Sequence, residues 1–213
     1  MKLFLSSYRA GNHEDKLLNL LGNTKKMATI TNSKDYKSPA EREARIKENS
    51  EYWQSVGLES VEIDLRPYFN KTGAEGLLDG HDFVWLAGGN VFLLRRALSY
   101  TGLDQFLSKK IRNNEIILGG ESAGAIIMGP TLKHSEVDTY EDSPNFVPDP
   151  YQKETIWEGL RLVDYVPVPH YKTPGYIGID EYIEKLEKEK IPYKKMTDDQ
   201  AITIDGDKTE FLK

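Results

Sequence analysis

The chain has no cysteine among its 213 residues and only four histidines. The first absence rules out a disulfide framework, a thiolate metal site and a cysteine nucleophile. The second limits any histidine-dependent chemistry to His13, His81, His134 and His170. No His-x-x-x-His pair and no paired-carboxylate motif is present, so no metal and no cofactor are expected. There is also no apolar run near the roughly 20 residues needed to cross a bilayer. The N-terminal stretch Met1-Lys2-Leu3-Phe4-Leu5 stops at Ser6 and Ser7, too short for a signal peptide and better read as a first strand. A cytoplasmic protein with no membrane partner is the resulting expectation. Basic residues are outnumbered 28 to 34, for a net charge of −6, and no basic cluster offsets this. Such a surface repels phosphate backbones on average, which argues against a nucleic-acid partner.

What remains, 38% hydrophobic and 29% charged residues, is enough to build a core. Strands are expected at Lys2 to Ser6, Met27 to Thr31, Val61 to Leu65, Phe83 to Leu86 and Ile116 to Leu118, with more at 162–168, 193–196, 201–204 and 210–212. Phe83-Val84-Trp85-Leu86 is apolar throughout, as a strand buried on both faces would be. Helical patterns fall between the strands. One spans 39–56, with Pro39 near its start and Gly57 at its end. Others lie near 17–21, 91–100 and 180–190. Residues 133–156 read as a long polar loop. The alternation predicts a mostly parallel sheet with helices on both faces, in one domain over residues 1–213. A homodimer stays open as its assembly.

The most informative stretch is Gly120-Glu121-Ser122-Ala123-Gly124, a Gly-x-Ser-x-Gly between a buried strand and an Ala-rich helical run. This is the setting of a nucleophile elbow. The serine sits on a sharp, strained turn, and its neighbours two residues away need to lack side chains. The turn raises Oγ above the sheet edge and aims the first amides of the following helix at the reacting carbonyl, near a favourable dipole end. A Gly-rich turn with an incidental serine would share the pattern, but the flanking strand and helix favour a nucleophile.

A serine nucleophile needs a base. His13 and His81 lie in polar turns. His170 follows the apolar run Tyr165 to Pro169, just past a strand end, where parallel sheets present active-site loops. It is the candidate base, ahead of His134 in the long loop. The acid could be one of Glu136, Asp138, Glu141, Asp142 or Asp149, while Glu121 could act on the serine electrostatically. A second strand-to-helix turn, Ala87-Gly88-Gly89-Asn90, offers the Gly88 and Gly89 amides beside that of Ala123 as oxyanion donors. Asn90 is either a substrate contact or simply a helix N-cap.

Three ordered segments, Gly88-Gly89-Asn90-Val91-Phe92-Leu93-Leu94, Gly120-Glu121-Ser122-Ala123-Gly124-Ala125 and Pro169-His170-Tyr171, resemble the dipeptidase E and cyanophycinase family of serine peptidases. Asp198-Asp199-Gln200-Ala201-Ile202 followed by Gly206 is similar to it as well. The resemblance implies a three-layer, flavodoxin-like α/β fold of the class I glutamine amidotransferase kind, with Ser122 as nucleophile and His170 as base. It implies Asp138 as the acid, with Glu136 as alternate, and small peptides as substrates. Glutaminase relatives on this fold carry cysteine at the elbow, so thioester chemistry is excluded here. Where peptidase E has an arginine-containing stretch like Gly-Glu-Thr-Arg-Glu after the histidine, this chain has no arginine beyond Arg161, and Lys172 is a point charge rather than a fork. An esterase with the same residue order, or a catalytically silent binding protein, are the competing readings.

Overall fold

The computed structural model describes residues 1–136 and 143–213. Its centre is a seven-stranded sheet ordered β3-β2-β4-β5-β1-β8-β9. The strands are β1 (Lys2–Ser6), β2 (Lys26–Ile30), β3 (Glu59–Ile63), β4 (Phe83–Leu86), β5 (Ile117–Glu121), β8 (Ala201–Asp205) and β9 (Lys208–Leu212). The first five are mutually parallel, so Ser6, Ile30, Leu86 and Glu121 all end at one edge. β8 runs antiparallel to β1, which brings its first residue, Ala201, opposite Ser6 at that same edge.

Side-chain alternation along the strands builds a core on each face. Val84 and Leu86 of β4 pack with Leu3, Leu5 and Leu118 beneath α3 (Val91–Tyr100), α4 (Leu103–Arg112) and α5 (Ala123–Ile126). Phe83 and Trp85 point the other way and pack with Phe4 and Met27 against α1 (Glu14–Leu21) and α2 (Pro39–Val56). This is the burial on both faces that the unbroken apolar run of β4 predicts. On α2 the one buried residue is Trp53, whose ring meets Trp85 edge-on at 4.6 Å. The helix starts with a capping box between Ser38 and Glu41 and stops at Gly57 in the left-handed region, as Pro39 and Gly57 lead one to expect. No helix among the described residues is long and apolar enough to cross a membrane.

Three expectations change. The strand expected over 162–168 is only β6 (Val166–Val168). It does not join the main sheet but pairs in parallel with β7 (Tyr193–Lys195) as a separate ribbon. The charged helix α6 (Ile179–Lys188) packs Ile179, Ile183 and Leu186 onto that ribbon as a third, small core. The prolines at 167 and 169 fit a two-stranded ribbon better than a central strand, where each would remove a ladder bond. In addition, α4 had no counterpart in the sequence reading, although Leu103, Leu107 and Ile111 recur at helical spacing and are buried. Finally, the third strand is shifted to 59–63, two residues earlier than expected.

Gly119 makes the packing of β5 possible. A Cβ there would lie 2.4 Å from the Trp85 ring on the neighbouring strand, and Trp85 is fully enclosed by Trp53, Phe83 and Phe4. Gly119→Ala is therefore expected to lower unfolding free energy by about 1–3 kcal/mol, the usual cost of overpacking a core. Urea denaturation measures this directly, and an unchanged midpoint would mean that Trp85 can move aside.

Candidate active site

Ser122 stands between the end of β5 and the start of α5 with φ 49° and ψ −114°, a backbone region costly for a residue with a side chain. Two glycines make the turn possible. A Cβ on Gly120 would lie 2.6 Å from the Gly124 carbonyl oxygen, and one on Gly124 only 2.0 Å from the Leu86 carbonyl oxygen. The Ser122 amide donates to the Ser6 carbonyl at 3.1 Å, tying the turn to β1. The helix that follows is a single turn, so its first backbone amides rather than a macrodipole are what it brings to the site.

His170 lies one residue beyond Pro169, after β6, with φ 59°. Its Nε2 is 2.9 Å from Ser122 Oγ, and its Nδ1 is 2.7 Å from Asp198 Oδ1. An ionised carboxylate can only accept, so Nδ1 carries the proton and Nε2 is left to accept from the serine hydroxyl. Ser7 braces the same corner: its hydroxyl donates to Asp198 Oδ1 at 2.7 Å and accepts from the His170 amide at 2.7 Å. Tyr176 stacks on the imidazole with centroids 3.8 Å apart and planes 11° apart. His170 is thereby only 5% exposed.

The carboxylate that the structure sets on His170 is not one of those in the loop between serine and histidine. Asp138, the residue carried over by resemblance, lies outside the described residues, as do Glu141 and Asp142. Its alternate, Glu136, is exposed. The carboxylate on His170 Nδ1 is that of Asp198, just ahead of β8, giving the chain order serine, histidine, aspartate. An order serine, acid, histidine points instead to the loop between the serine and the histidine. The available signal was Asp198-Asp199 immediately before an apolar strand. Only the antiparallel direction of β8 turns that position into an active-site one, since it puts the strand's beginning beside the ends of β1 and β5. Nothing local in the sequence marks Ser7, Tyr176 or Lys34 either. His134 pairs instead with Glu189, at 2.8 Å.

Of the glycine pair, Gly88 lies against Ser122: a Cβ on it would be 3.1 Å from Ser122 Cβ. Asn90 is buried and its Oδ1 accepts from the Leu93 amide at 2.9 Å, the N-cap role. It is not among the cavity-lining residues. Glu121 Oε2 accepts from the Arg9 amide at 2.5 Å, holding the loop after β1.

Above Ser122 and His170 lies a cavity of about 380 Å³ whose rim includes Tyr8 and Tyr176. Its charged lining is mainly basic, with Arg9, Lys34, Lys37 and Arg45 set against Glu48 and Glu121. Arg9 and Arg45 both pair with Glu48. Lys34 is partly buried, and the desolvation lowers its pKa despite the pull of Glu121. Among the described residues no cluster of three or more His, Asp or Glu side chains could hold a metal.

A strained serine at the carboxyl edge of a parallel sheet, hydrogen-bonded to a histidine that is itself held by an aspartate, is an arrangement that can support acyl transfer. The chain belongs to Peptidase family S51, which it matches over residues 10–212. It is 30% identical over 156 residues to an uncharacterised peptidase of Listeria innocua, covering 73% of this chain and 61% of that one. A second uncharacterised peptidase, from Listeria monocytogenes, is 29% identical over 160 residues, 72% of this chain and 70% of that one. Peptidase E of Streptomyces coelicolor is 29% identical over 158 residues, 71% of this chain and 60% of that one. The chain thus spans about three fifths of two of these relatives. The fold is that of the crystal structure of a candidate peptidase E from Listeria monocytogenes, with TM-score 0.76, 24% identity, and coverage of 100% of this chain and 98% of that one. A peptidase from an acI-B1 actinobacterium shares it at TM-score 0.64 and 16% identity, covering 100% and 90%.

Burial holds the His170 pKa below its ordinary value of 6.5, outweighing the Asp198 and Glu121 carboxylates that pull it up. Between the lowered folded value and 6.5 the unfolded chain binds the proton and the folded one does not. The stability contributed is therefore complete above pH 6.5 and is lost as pH falls through the folded pKa. In an NMR titration of the ring protons, assigned with a His170→Gln variant, His170 should titrate below pH 6.5. A midpoint above 6.5 would mean that the carboxylates, not burial, set its charge.

Proposed function

We propose that the protein is a serine-type peptidase that hydrolyses small peptides through an acyl-enzyme. The observation that carries this reading is the continuous hydrogen-bonded line from Ser122 Oγ through the His170 ring to Asp198. Ser122 attacks the scissile carbonyl while His170 Nε2 takes its proton. Asp198 holds the ring in the tautomer this requires and offsets the imidazolium charge as it forms. His170 next protonates the leaving amine, and water, activated by the same nitrogen, releases the acyl group. Oxyanion charge falls to the amides of Ala123 and of the Gly88-Gly89 turn. Ser7, by bonding to both the His170 amide and Asp198, keeps base and acid in register. A cavity of about 380 Å³ suits a substrate of a few residues rather than a folded protein.

A fluorophosphonate probe should form an adduct on Ser122, mapped by mass spectrometry, and Ser122→Ala should abolish both labelling and turnover while leaving thermal unfolding nearly unchanged. A folded wild-type protein that takes no label would support the silent binding protein instead. Turnover of aryl esters with none of any peptide would support the esterase.

Asp198→Asn separates the acid from other carboxylates. With the amide in place the imidazole loses its orienting charge, and kcat is expected to fall by about 10³–10⁴-fold. A fall below tenfold, measured with the best dipeptide found, would show that another carboxylate serves His170.

A further inference from the structure

Lys34 is a partly buried lysine in the wall of the cavity, and its ammonium is directed at a backbone carbonyl. Nζ donates to the Gly88 oxygen at 3.0 Å, and the neighbouring Ser33 hydroxyl donates to the same oxygen at 2.9 Å. One carbonyl thus takes two side-chain donors, one of them charged. The segment is held further by the Asn90 amide, which donates to the Ser33 carbonyl at 2.8 Å. Gly89, with φ 139°, lies so close that a Cβ there would be 2.4 Å from that carbonyl oxygen.

Gly88 and Gly89 are joined by a trans peptide, because among the described residues the one cis bond is Asp149-Pro150. In a planar trans peptide the C=O and the N–H point in opposite directions. Ser33 and Lys34 follow β2, the glycine pair follows β4, and Ser122 follows β5, and the sheet order is β2-β4-β5. With the Gly88 carbonyl drawn toward the β2 side, the Gly89 N–H is turned toward the β5 side, where Ser122 stands. The amides on either side of the pair are engaged, Ala87 with the Ile30 carbonyl and Asn90 with that of Ser33. Among the described residues neither glycine amide has an acceptor.

We propose that Lys34 and Ser33 are positioning residues that lock the Gly88-Gly89 peptide with its N–H directed at the oxyanion, and that the opposite orientation would present a carbonyl to the developing charge. This rests on the serine-peptidase reading above. The desolvation of Lys34 is consistent with it: a partly buried ammonium that makes no ion pair among the described residues is a costly way to anchor an ordinary turn. A charged donor holds the carbonyl more firmly than a neutral one, which matters when two adjacent glycines leave the peptide free to flip.

The test compares wild type with Lys34→Met, which keeps the stem and removes the donor, and with Ser33→Ala, the milder change. Hydrolysis of p-nitrophenyl acetate and inhibition by phenylboronic acid, which makes a tetrahedral adduct with a serine, are measured together with thermal unfolding. Lys34→Met should lower kcat by about 10–100-fold with KM within about twofold, less than outright loss of an oxyanion donor. Boronate affinity should fall by a similar factor, and Ser33→Ala should show the same pattern more weakly. Unchanged kcat and boronate affinity in both variants, while wild-type Ser122 still takes the fluorophosphonate, would overturn the positioning role alone. So would an effect confined to KM, which would make Lys34 a substrate contact. If Lys34→Met does not fold, Ser33→Ala decides by the same two readouts. Absence of label on wild-type Ser122 would overturn both readings together.

Discussion

The site depends on a close approach of backbone to backbone. With Gly124 tucked against the Leu86 carbonyl and Gly120 against Gly124, the turn after β5 lies on the end of β4 with no side chain between them. That contact fixes Ser122 in a left-handed conformation and holds it beside Gly88, within 3.1 Å of where a Cβ would be. Ser122 and the glycine turn proposed to face an oxyanion are thus positioned by one contact. Side chains at either glycine would separate them, and the remaining chemistry would have nothing to act on.

The rest of the machinery comes from elements outside the parallel core. β8 runs backward along β1 and so starts at the edge where β1 and β5 end, which puts Asp198 within reach of the site. The β6-β7 ribbon, carrying α6 on its own small core, supplies His170 from a third direction. The Ser7 hydroxyl, one residue past β1, joins these arrivals by bonding to the His170 amide and to Asp198. Parallel sheet, antiparallel extension and separate ribbon therefore meet at a single buried corner.

Sequence patterns reveal what local physics dictates and miss what depends on topology. Ser122 is legible because its turn needs glycine on both sides, and that requirement is written into five consecutive residues. His170 is legible by elimination among four histidines and by its place after an apolar run. β4 is legible because burial on both faces leaves no polar position in it. Asp198 is not, because nothing local marks it as facing a histidine 28 residues earlier; strand direction alone does that. The isolation of β6 from the main sheet is equally nonlocal, although Pro167 and Pro169 hinted at it. Lys34 looks like any surface lysine in a polar turn until the Gly88 carbonyl is set against it.

A serine makes stricter demands on its base than a cysteine would. Its hydroxyl ionises far less readily than a thiol, so the imidazole must be neutral and correctly oriented when substrate arrives. Here those needs pull in opposite directions. Asp198 orients the ring but favours its charged form, and burial disfavours it. Stacking of Tyr176 over the ring face lets the protein have both: it removes water from the imidazole without displacing the carboxylate from Nδ1. Because Tyr176 is itself half exposed and lines the cavity, a peptide lying against it would deepen the same desolvation. On the proposed mechanism, substrate binding would then favour the neutral ring further, and make the charge that forms on it during attack depend more heavily on Asp198.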